Sequence, residues 1–259
     1  TPIKSSAASD VYKRQEHDAL LITEAHNFNG VQWGKDKRYL RNNFTPASQI
    51  ASLFWDYYEF TGDEEFLKER AYTFMKKASH FYLDRLEWDE EKNEYFLKAS
   101  LYESAPIAYV KNPISDRNCI ERLFKDCIRA AEILNVDKDE VKQWRHVLNH
   151  LWERGYQQFG ECGEVISPAE EYYTEKRYSP WIWGNGGAVA FPAGLIGIDD
   201  KDTRLGKAVV NLLKHDDECN AHYPYPQIAA RMGEGDVALK YIWNGVNVHQ
   251  MYPQGLMHN

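Results

Sequence analysis

Glu103 is the residue of this sequence whose surroundings best suit acid–base chemistry. It is the one acidic residue of the connector Leu97–Pro106 (LKASLYESAP), which joins two segments with helical patterns, Asp63–Leu86 and Ser115–Asn135. Partial burial in such a connector would raise the pKa of the carboxyl group and prepare it to donate a proton. The alternative is a solvated glutamate in a loop ahead of a helix, which is the common environment of this residue type.

A second set of residues is suited to holding a sugar. Trp181 and Trp183 are followed by glycines, which let a backbone approach a ligand closely. Indole rings offer a flat apolar face with one hydrogen-bonding edge, although the same pair could instead anchor a helix to the core. The predicted substrate-binding residues of this segment are Trp181, Trp183 and Asn185.

The remaining polar clusters support fewer kinds of chemistry. Glu170 and Glu171 precede several tyrosines and are candidates for a second catalytic carboxylate. His146 and His150 have the i, i+4 spacing of a zinc helix, but the HVLNH segment lacks the glutamate and the third ligand of such a site. No glycine-rich phosphate-binding motif is present, so we predict neither a metal nor a cofactor.

Composition favours a globular protein that binds carbohydrate. The 259 residues are 43% hydrophobic and 27% charged, as is usual for globular chains. The net charge of −8 argues against a nucleic-acid partner. No apolar run approaches the roughly 20 residues of a membrane helix, so we predict no membrane partner. The 8 tryptophans and 17 tyrosines suit a carbohydrate substrate, although large cores also use aromatic residues.

The apolar spacing predicts an all-α fold built from helical hairpins, with almost no strand alternation. Thr45 and Pro46 are predicted to start the first hairpin as N-cap and first helical residue, and Gly62-Asp63 to make its turn. Asp137 is predicted to cap the second helix of the next hairpin. Repeated hairpins indicate an α-solenoid or a closed α/α toroid with long connectors. The predicted hairpins span residues 45–86, 115–151, 187–213 and 225–243.

The ends of the chain lead us to expect a piece of a longer protein. The opening TPIKSSAASDVYKRQ has no periodicity, and SDVYKRQ resembles a read-end artefact of metagenomic genes. We therefore expect residues 1–15 to be non-native or disordered, and flanking domains of the same polypeptide to be missing. The four cysteines form no disulfide framework and carry no information on the compartment.

Several segments within residues 24–259 resemble the motifs of one enzyme family and occur in the same order. FTPASQIASLFWDYYEFTGDEEFL resembles the pattern WPTGGAWLCQHLWEHYxFTGDxxFL, and ARMGEGDVALKYI resembles ARLGDGDRALKLI. SDRNCIERLF is similar to DMQIIRDLF, AFPAGLIG to LYPGNQI, and EAHNF to an HHNT-type segment. ASLYESAP falls where these proteins have PSxSPEN. The sequence thus resembles the catalytic domain of glycoside hydrolase family 95, the inverting α-L-fucosidases and α-L-galactosidases.

The resemblance implies a partial six-hairpin (α/α)6 toroid with about four helical hairpins, in which residues 16–259 form an incomplete catalytic domain. Glu103 takes the place of the general acid, and Trp181-Ile182-Trp183 stands where the family has a His-Arg-His sugar-binding motif. The matching segments EAHNF and FTPAS add His26, Asn27 and Phe44 to the predicted substrate-binding residues. The family's water-positioning Asn-x-Asn motif is expected ahead of residue 1 and its base Asp beyond Asn259. We therefore expect this chain alone to be inactive.

The sequence therefore predicts a fragment of an inverting glycoside hydrolase related to α-L-fucosidases, which acts on a terminal sugar of an oligo- or polysaccharide with Glu103 as general acid. One alternative is another six-hairpin carbohydrate enzyme, either an α-L-rhamnosidase-like hydrolase or a disaccharide phosphorylase. The other is a non-catalytic carbohydrate-binding helical toroid. For a full-length bacterial enzyme, the resemblance favours a secreted or periplasmic location.

Overall fold

The computed structural model describes residues 18–22, 44–100, 109–173, 186–215 and 224–249. In this part of the chain 60% of the residues lie in helices, which confirms the predicted all-α class. The described residues divide into two compact units, the first reaching to residue 153 and including 169–173, the second containing the rest. Within these same ranges, no helix combines the length and the apolar character needed to cross a membrane.

The first unit contains the first two predicted helical hairpins, and its helix bounds lie within a residue or two of those predicted. The second of its helices changes from α to π geometry for one turn and then returns to α geometry. The helices are α1 (Thr45–Thr61), α2 (Glu64–Phe66, the π turn Leu67–Ala71 and Tyr72–Arg85), α3 (Ile114–Leu134) and α4 (Lys138–Asn149).

The turn between α1 and α2 follows the local signals of the sequence. Gly62 has a left-handed φ of +66°, and its N–H donates to the Tyr58 carbonyl at 2.8 Å. Asp63 Oδ1 accepts a hydrogen bond from the Phe66 N–H at 2.9 Å and so caps α2. The start of α1 differs by one residue from the prediction, because Phe44 is its N-cap and makes no side-chain capping bond.

Asp137 precedes α4, as predicted, but its side chain does not cap that helix. Its carboxylate accepts hydrogen bonds from the Tyr72 hydroxyl at 2.7 Å and from Lys76 Nζ at 2.9 Å, both on α2. Lys76 also pairs with Glu140 of α4 at 2.6 Å. Lys76 brings a full opposite charge to the Asp137 carboxylate, which a backbone N–H does not, so the carboxylate joins α2 to α4 and no side chain caps the start of α4.

The core of the first unit is made by the helix faces that the apolar spacing predicts. Large, fully buried side chains come from all four helices, among them Trp55, Leu67, Met75, Phe124 and Trp144. Burial of one large apolar side chain stabilises a fold by roughly 1.5–3 kcal/mol. This core therefore gives the connector between α2 and α3 a rigid support.

Short strands occupy the connectors, where the sequence shows almost no strand pattern. In the first unit β1 (Glu87–Asp89) pairs with β2 (Glu94–Phe96). A second, three-stranded antiparallel sheet has the order β3 (Lys98–Ser100), β4 (Tyr109–Lys111) and β7 (Glu171–Tyr172). None of these strands exceeds three residues, which is too short for alternation to show in the sequence.

The second unit contains the predicted fourth helical hairpin and a small strand pair. Strands β5 (Tyr156–Gln158) and β6 (Glu164–Ile166) are antiparallel. Helix α5 (Arg204–Leu212) is capped by Thr203 Oγ1, which accepts from the Gly206 N–H at 3.0 Å. The hairpin consists of α6 (Tyr225–Arg231) and α7 (Gly235–Asn244), which continues into a π turn at Gly245–His249.

The prediction of a helix over Gly187–Ile198 is wrong. This stretch forms turns, followed by a 3-10 turn at Ile198–Asp200. Pro192 has no N–H for a helical hydrogen bond, and Gly194 adopts a left-handed φ of +63°. These two residues interrupt the helix that the apolar spacing suggests, so the third predicted hairpin retains only α5.

Candidate functional site

Most of the predicted site residues lie outside the described part of the chain. This holds for the predicted acid, Glu103, and for the sugar-binding candidates His26, Asn27, Trp181, Trp183 and Asn185. The structure does describe the residues on both sides of the segment 101–108 that carries Glu103. The described elements next to this segment are the two strands that flank it and the residues that hold them.

The segment 101–108 joins two strands that pair with each other. Strands β3 and β4 are antiparallel, and the last residue of β3, Ser100, is opposite the first residue of β4, Tyr109. Paired residues in such a ladder have Cα atoms about 4.5–5.5 Å apart, so both ends of the segment are held close together. Ser100 and the neighbouring Ala99 and Val110 are almost fully buried. The segment that contains Glu103 thus begins and ends on a firmly packed stem.

Asn112 closes the other end of the β3–β4 hairpin. It has a left-handed φ of +57° and is only 3% exposed. Its N–H donates to the Leu97 carbonyl at 2.7 Å, and its side-chain Oδ1 accepts from the Leu97 N–H at 2.9 Å. One residue therefore satisfies both backbone groups of Leu97, the residue directly before β3.

Glu170 holds the Asn112 side chain from the opposite side. Its Oε2 accepts from Asn112 Nδ2 at 2.5 Å, and its Oε1 accepts from Lys92 Nζ at 2.7 Å and from Lys111 Nζ at 3.4 Å. Its N–H donates to the Lys111 carbonyl at 3.1 Å and leads into β7. We call Asn112 and Glu170 together the hairpin clamp.

The charge state of Glu170 follows from these donors. Partial burial alone would raise the pKa of Glu170, but hydrogen bonds from Lys92 and Asn112 and the charges of Lys111 and Lys92 outweigh it and hold the pKa below its usual value. Glu170 is therefore ionised at neutral pH and engaged through both oxygens. These contacts favour an anchoring role for Glu170 over the second catalytic carboxylate that the sequence suggested.

A buried carboxyl group lies just beyond the clamp, at the start of α3. Asp116 is 1% exposed, and it accepts hydrogen bonds from the Tyr82 hydroxyl and from Ser115 Oγ, each at 3.2 Å. Burial raises the pKa of Asp116 to about 7, against the opposing effect of the hydrogen bonds from Ser115 and Tyr82. No sequence motif marks this group, although Asp116 continues the buried stripe of Ile120 and Phe124 by one turn.

Phe44 is the one predicted substrate-binding residue that the structure describes. It is 1% exposed, and its ring meets the edge of Phe81 with centroids 5.0 Å apart. The Arg85 guanidinium lies 5.2 Å from the ring centroid, and the Phe44 carbonyl accepts from the Tyr82 hydroxyl at 3.1 Å. This burial leaves no open ring face for a sugar and gives no support to the predicted contact.

The described residues offer no cluster of three or more His, Cys, Asp or Glu side chains placed to hold a metal ion. The histidine pair that the sequence singled out packs with aromatic rings instead. The rings of His146 and His150 have centroids 4.3 Å apart, and Trp88 lies against both of them. His150 Nδ1 is 2.8 Å from the His146 carbonyl oxygen. The contacts of both rings with Trp88 of β1 join β1 to the C-terminal end of α4.

Comparison with known proteins gives two findings. Residues 4–259 match the family described as glycosyl hydrolase family 95 catalytic domain. A stretch of 177 residues is 22% identical to the protein-glucosylgalactosylhydroxylysine glucosidase of Dictyostelium discoideum, and the match covers 60% of this chain and 24% of that protein. The chain thus spans about a quarter of the length of this curated relative.

Proposed function

Because the chain belongs to the glycosyl hydrolase family 95 catalytic domains, we propose that it is part of an inverting glycoside hydrolase in which Glu103 is the general acid. The observation that carries this proposal is the β3–β4 hairpin, whose paired residues Ser100 and Tyr109 flank the segment 101–108. A general acid must stay within hydrogen-bonding reach of the oxygen that it protonates. A packed pair of strands at both ends of the segment that carries the acid supports that role.

In the proposed reaction Glu103 donates its proton to the glycosidic oxygen while the bond between that oxygen and the anomeric carbon breaks. A water molecule attacks the anomeric carbon from the opposite face and gives a proton to a second carboxylate, so the configuration inverts. Inverting enzymes keep the two carboxyl groups about 6.5–9.5 Å apart, which leaves room for the water. The proposed sugar contacts, chosen by residue type and family resemblance, are His26, Asn27, Trp181, Trp183 and Asn185.

The proposed substrate is a terminal sugar of an oligo- or polysaccharide. The resemblance to the family of α-L-fucosidases and α-L-galactosidases supports an L-fucose-type sugar. The Dictyostelium discoideum relative is named as a glucosidase, which supports glucose as the second candidate. The full-length protein can be given matched fucosides, galactosides and glucosides. The monosaccharide that it releases decides between an L-fucose-type sugar and glucose. Proton NMR of the first product formed reports inversion, and a product that retains its configuration contradicts the mechanism.

The role of Glu103 is tested by Glu103→Gln in the full-length protein. The variant keeps the shape of the side chain but removes the transferable proton, so kcat on an alkyl glycoside is expected to fall by roughly 10²–10⁴-fold with little change in KM. The loss is expected to shrink for an aryl glycoside whose leaving group needs little protonation.

A matched control for this test is Glu90→Gln, the same change at an exposed residue of the β1–β2 turn. It is expected to leave kcat unchanged. An unchanged kcat for Glu103→Gln on the alkyl glycoside contradicts the proposal. Binding of the sugar without any hydrolysis by the unaltered protein supports the non-catalytic alternative instead.

A further inference from the structure

We propose that Asn112 and Glu170 are positioning residues for the proposed general acid, since they hold the β3–β4 hairpin in the register from which the segment carrying Glu103 emerges. This inference rests on the proposed function, because the position of Glu103 matters to the reaction only if Glu103 transfers a proton. The contacts that carry it lie entirely within the described residues of the first unit.

Asn112 makes both hydrogen bonds to Leu97, one with its backbone and one with its side chain. In the register of β3 and β4, Lys98 is opposite Lys111, so Leu97 is opposite Asn112. A regular antiparallel pair of this type exchanges two N–H to carbonyl hydrogen bonds. Asn112 makes the first bond with its N–H, but its left-handed backbone turns the chain towards α3. Its side-chain Oδ1 accepts the second bond in place of the carbonyl, at 2.9 Å.

The two partners of the Asn112 amide allow only one orientation of that group. Oδ1 faces an N–H donor on Leu97, whereas Nδ2 faces the Glu170 carboxylate at 2.5 Å. A flipped amide would place its oxygen against a carboxylate and its NH₂ against an N–H, so both contacts would be repulsive. Glu170 thereby selects the amide orientation that completes the ladder, and Lys92 and Lys111 compensate its charge.

The hairpin clamp affects the proposed acid through the register of β3 and β4. A shift of one residue in a strand pair turns every side chain to the opposite face. The present register buries Leu97, Ala99 and Val110 completely and places Ser100 opposite Tyr109. Loss of the clamp weakens this register at the base of the hairpin and spreads the positions from which segment 101–108 starts. A misplacement of about 1 Å at a reacting group can lower a rate on the order of 100-fold.

The test uses Asn112→Asp and Glu170→Gln in the full-length protein. Asn112→Asp keeps an acceptor for the Leu97 N–H but sets a second carboxylate against Glu170. The matched control is Asn93→Asp, the same change at another left-handed asparagine, which is exposed in the β1–β2 turn. Asn112→Asp is expected to lower kcat on an alkyl glycoside by about 10- to 100-fold with KM within about twofold. Glu170→Gln is expected to give a smaller loss, and the control to give none.

Two readouts separate positioning from a structural defect. The loss is expected to shrink on an activated aryl glycoside, and to disappear when Asn112→Asp is combined with Glu103→Gln, because an acid that cannot donate gains nothing from its position. A loss that is equal on both glycosides, or that adds fully to that of Glu103→Gln, overturns the inference. No loss in Asn112→Asp also overturns it.

A failure to fold and a failure of the proposed function give different results from a failure of the positioning role. If Asn112→Asp does not fold, Asn112→Gly replaces it, since glycine adopts the left-handed backbone freely and lacks only the clamp. If Glu103→Gln itself retains full kcat, the proposed function fails whatever the clamp variants do. If Glu103→Gln is impaired while the clamp variants are not, only the positioning role fails.

Discussion

At the scale of single residues, two carboxyl groups beside the β3–β4 hairpin have opposite environments. The Glu170 side chain is 38% exposed and accepts hydrogen bonds from an amide and two ammonium groups, which keep it ionised. Asp116 is fully buried with two hydroxyl donors, and burial raises its pKa to about 7. The burial and the partners of each group together, rather than its residue type, therefore decide whether it anchors a charge or holds a proton.

Asp116 is expected to make stability fall as pH rises. Its pKa is raised from 3.8 to about 7 in the folded state, so between these values the folded state keeps a proton that the unfolded state has lost. The contribution of Asp116 is therefore fully present below pH 3.8 and is lost progressively up to about pH 7. The whole change amounts to about 4 kcal/mol at most, at about 1.4 kcal/mol for each pKa unit.

The variant Asp116→Asn tests this expectation. The amide that replaces the carboxyl group cannot ionise, so the free energy of unfolding of the variant should fall less between about pH 4 and about pH 8 than that of the unaltered protein. Denaturant unfolding followed by tryptophan fluorescence at several pH values measures the difference. Parallel pH profiles for the two proteins would show that the Asp116 carboxyl is ionised in the fold or exposed to water.

At the scale of elements, the described helices are positioned by contacts between them as much as by local signals. The Asp137 side chain accepts hydrogen bonds from two donors on α2 and does not cap the N-terminus of α4. Arg122 of α3 donates to Asp56 of α1 at 2.7 Å, and Arg129 of α3 donates to Glu59 of α1 at 2.7 Å. These polar contacts lie beside the shared apolar core and help to hold α3 against α1.

The cap of α2 is expected to have a measurable local effect. Asp63→Ala removes the acceptor of the Phe66 N–H bond and should lower the free energy of unfolding by about 1 kcal/mol. Asp63→Asn keeps an acceptor at the same place and should cost only a few tenths of a kcal/mol. Thermal unfolding of the two variants beside the unaltered protein measures both changes. Equal losses in the two variants would assign the effect to charge rather than to capping.

At the scale of the whole molecule, apolar side chains remain on the surface of the second unit. Four of them share one side of α7 and its π turn, spaced as i, i+3, i+4 and i+7, and each is about half exposed. These are Leu239, Ile242, Trp243 and Val246. An exposed apolar stripe of this kind promotes association in water. We therefore expect the 259-residue chain by itself to aggregate readily.

Polar replacement within this stripe should reduce that aggregation. Ile242→Gln combined with Trp243→Gln removes the two central apolar side chains, and the soluble concentration reached before light scattering rises should increase several-fold, since patch size governs such association. Circular dichroism should show unchanged helix content, because neither residue is buried. Lys240→Gln on the same helix is the control and should leave the scattering as it is. Unaltered scattering in the double variant would remove the stripe as the cause.

The sequence by itself determined the features that depend on neighbours along the chain. The helices of residues 45–85, 114–149 and 225–244 follow from apolar spacing and from local caps, of which Gly62 and Asp63 are the clearest. Such signals act within one or two turns of helix, so they can be read without knowledge of the fold. The family resemblance came from the same continuous segments.

Only the tertiary structure decided the contacts between residues distant in sequence. The pairing of Lys111 with Glu171, the bond between Asn112 and Glu170, and the burial of Asp116 all depend on which elements meet in space. A strand of three residues is too short for its apolar alternation to predict which strand it pairs with. The free energy of a carboxyl group depends on the donors and the water around it, and those are supplied by other elements. The hairpin clamp of Asn112 and Glu170 could therefore be identified only from the folded chain.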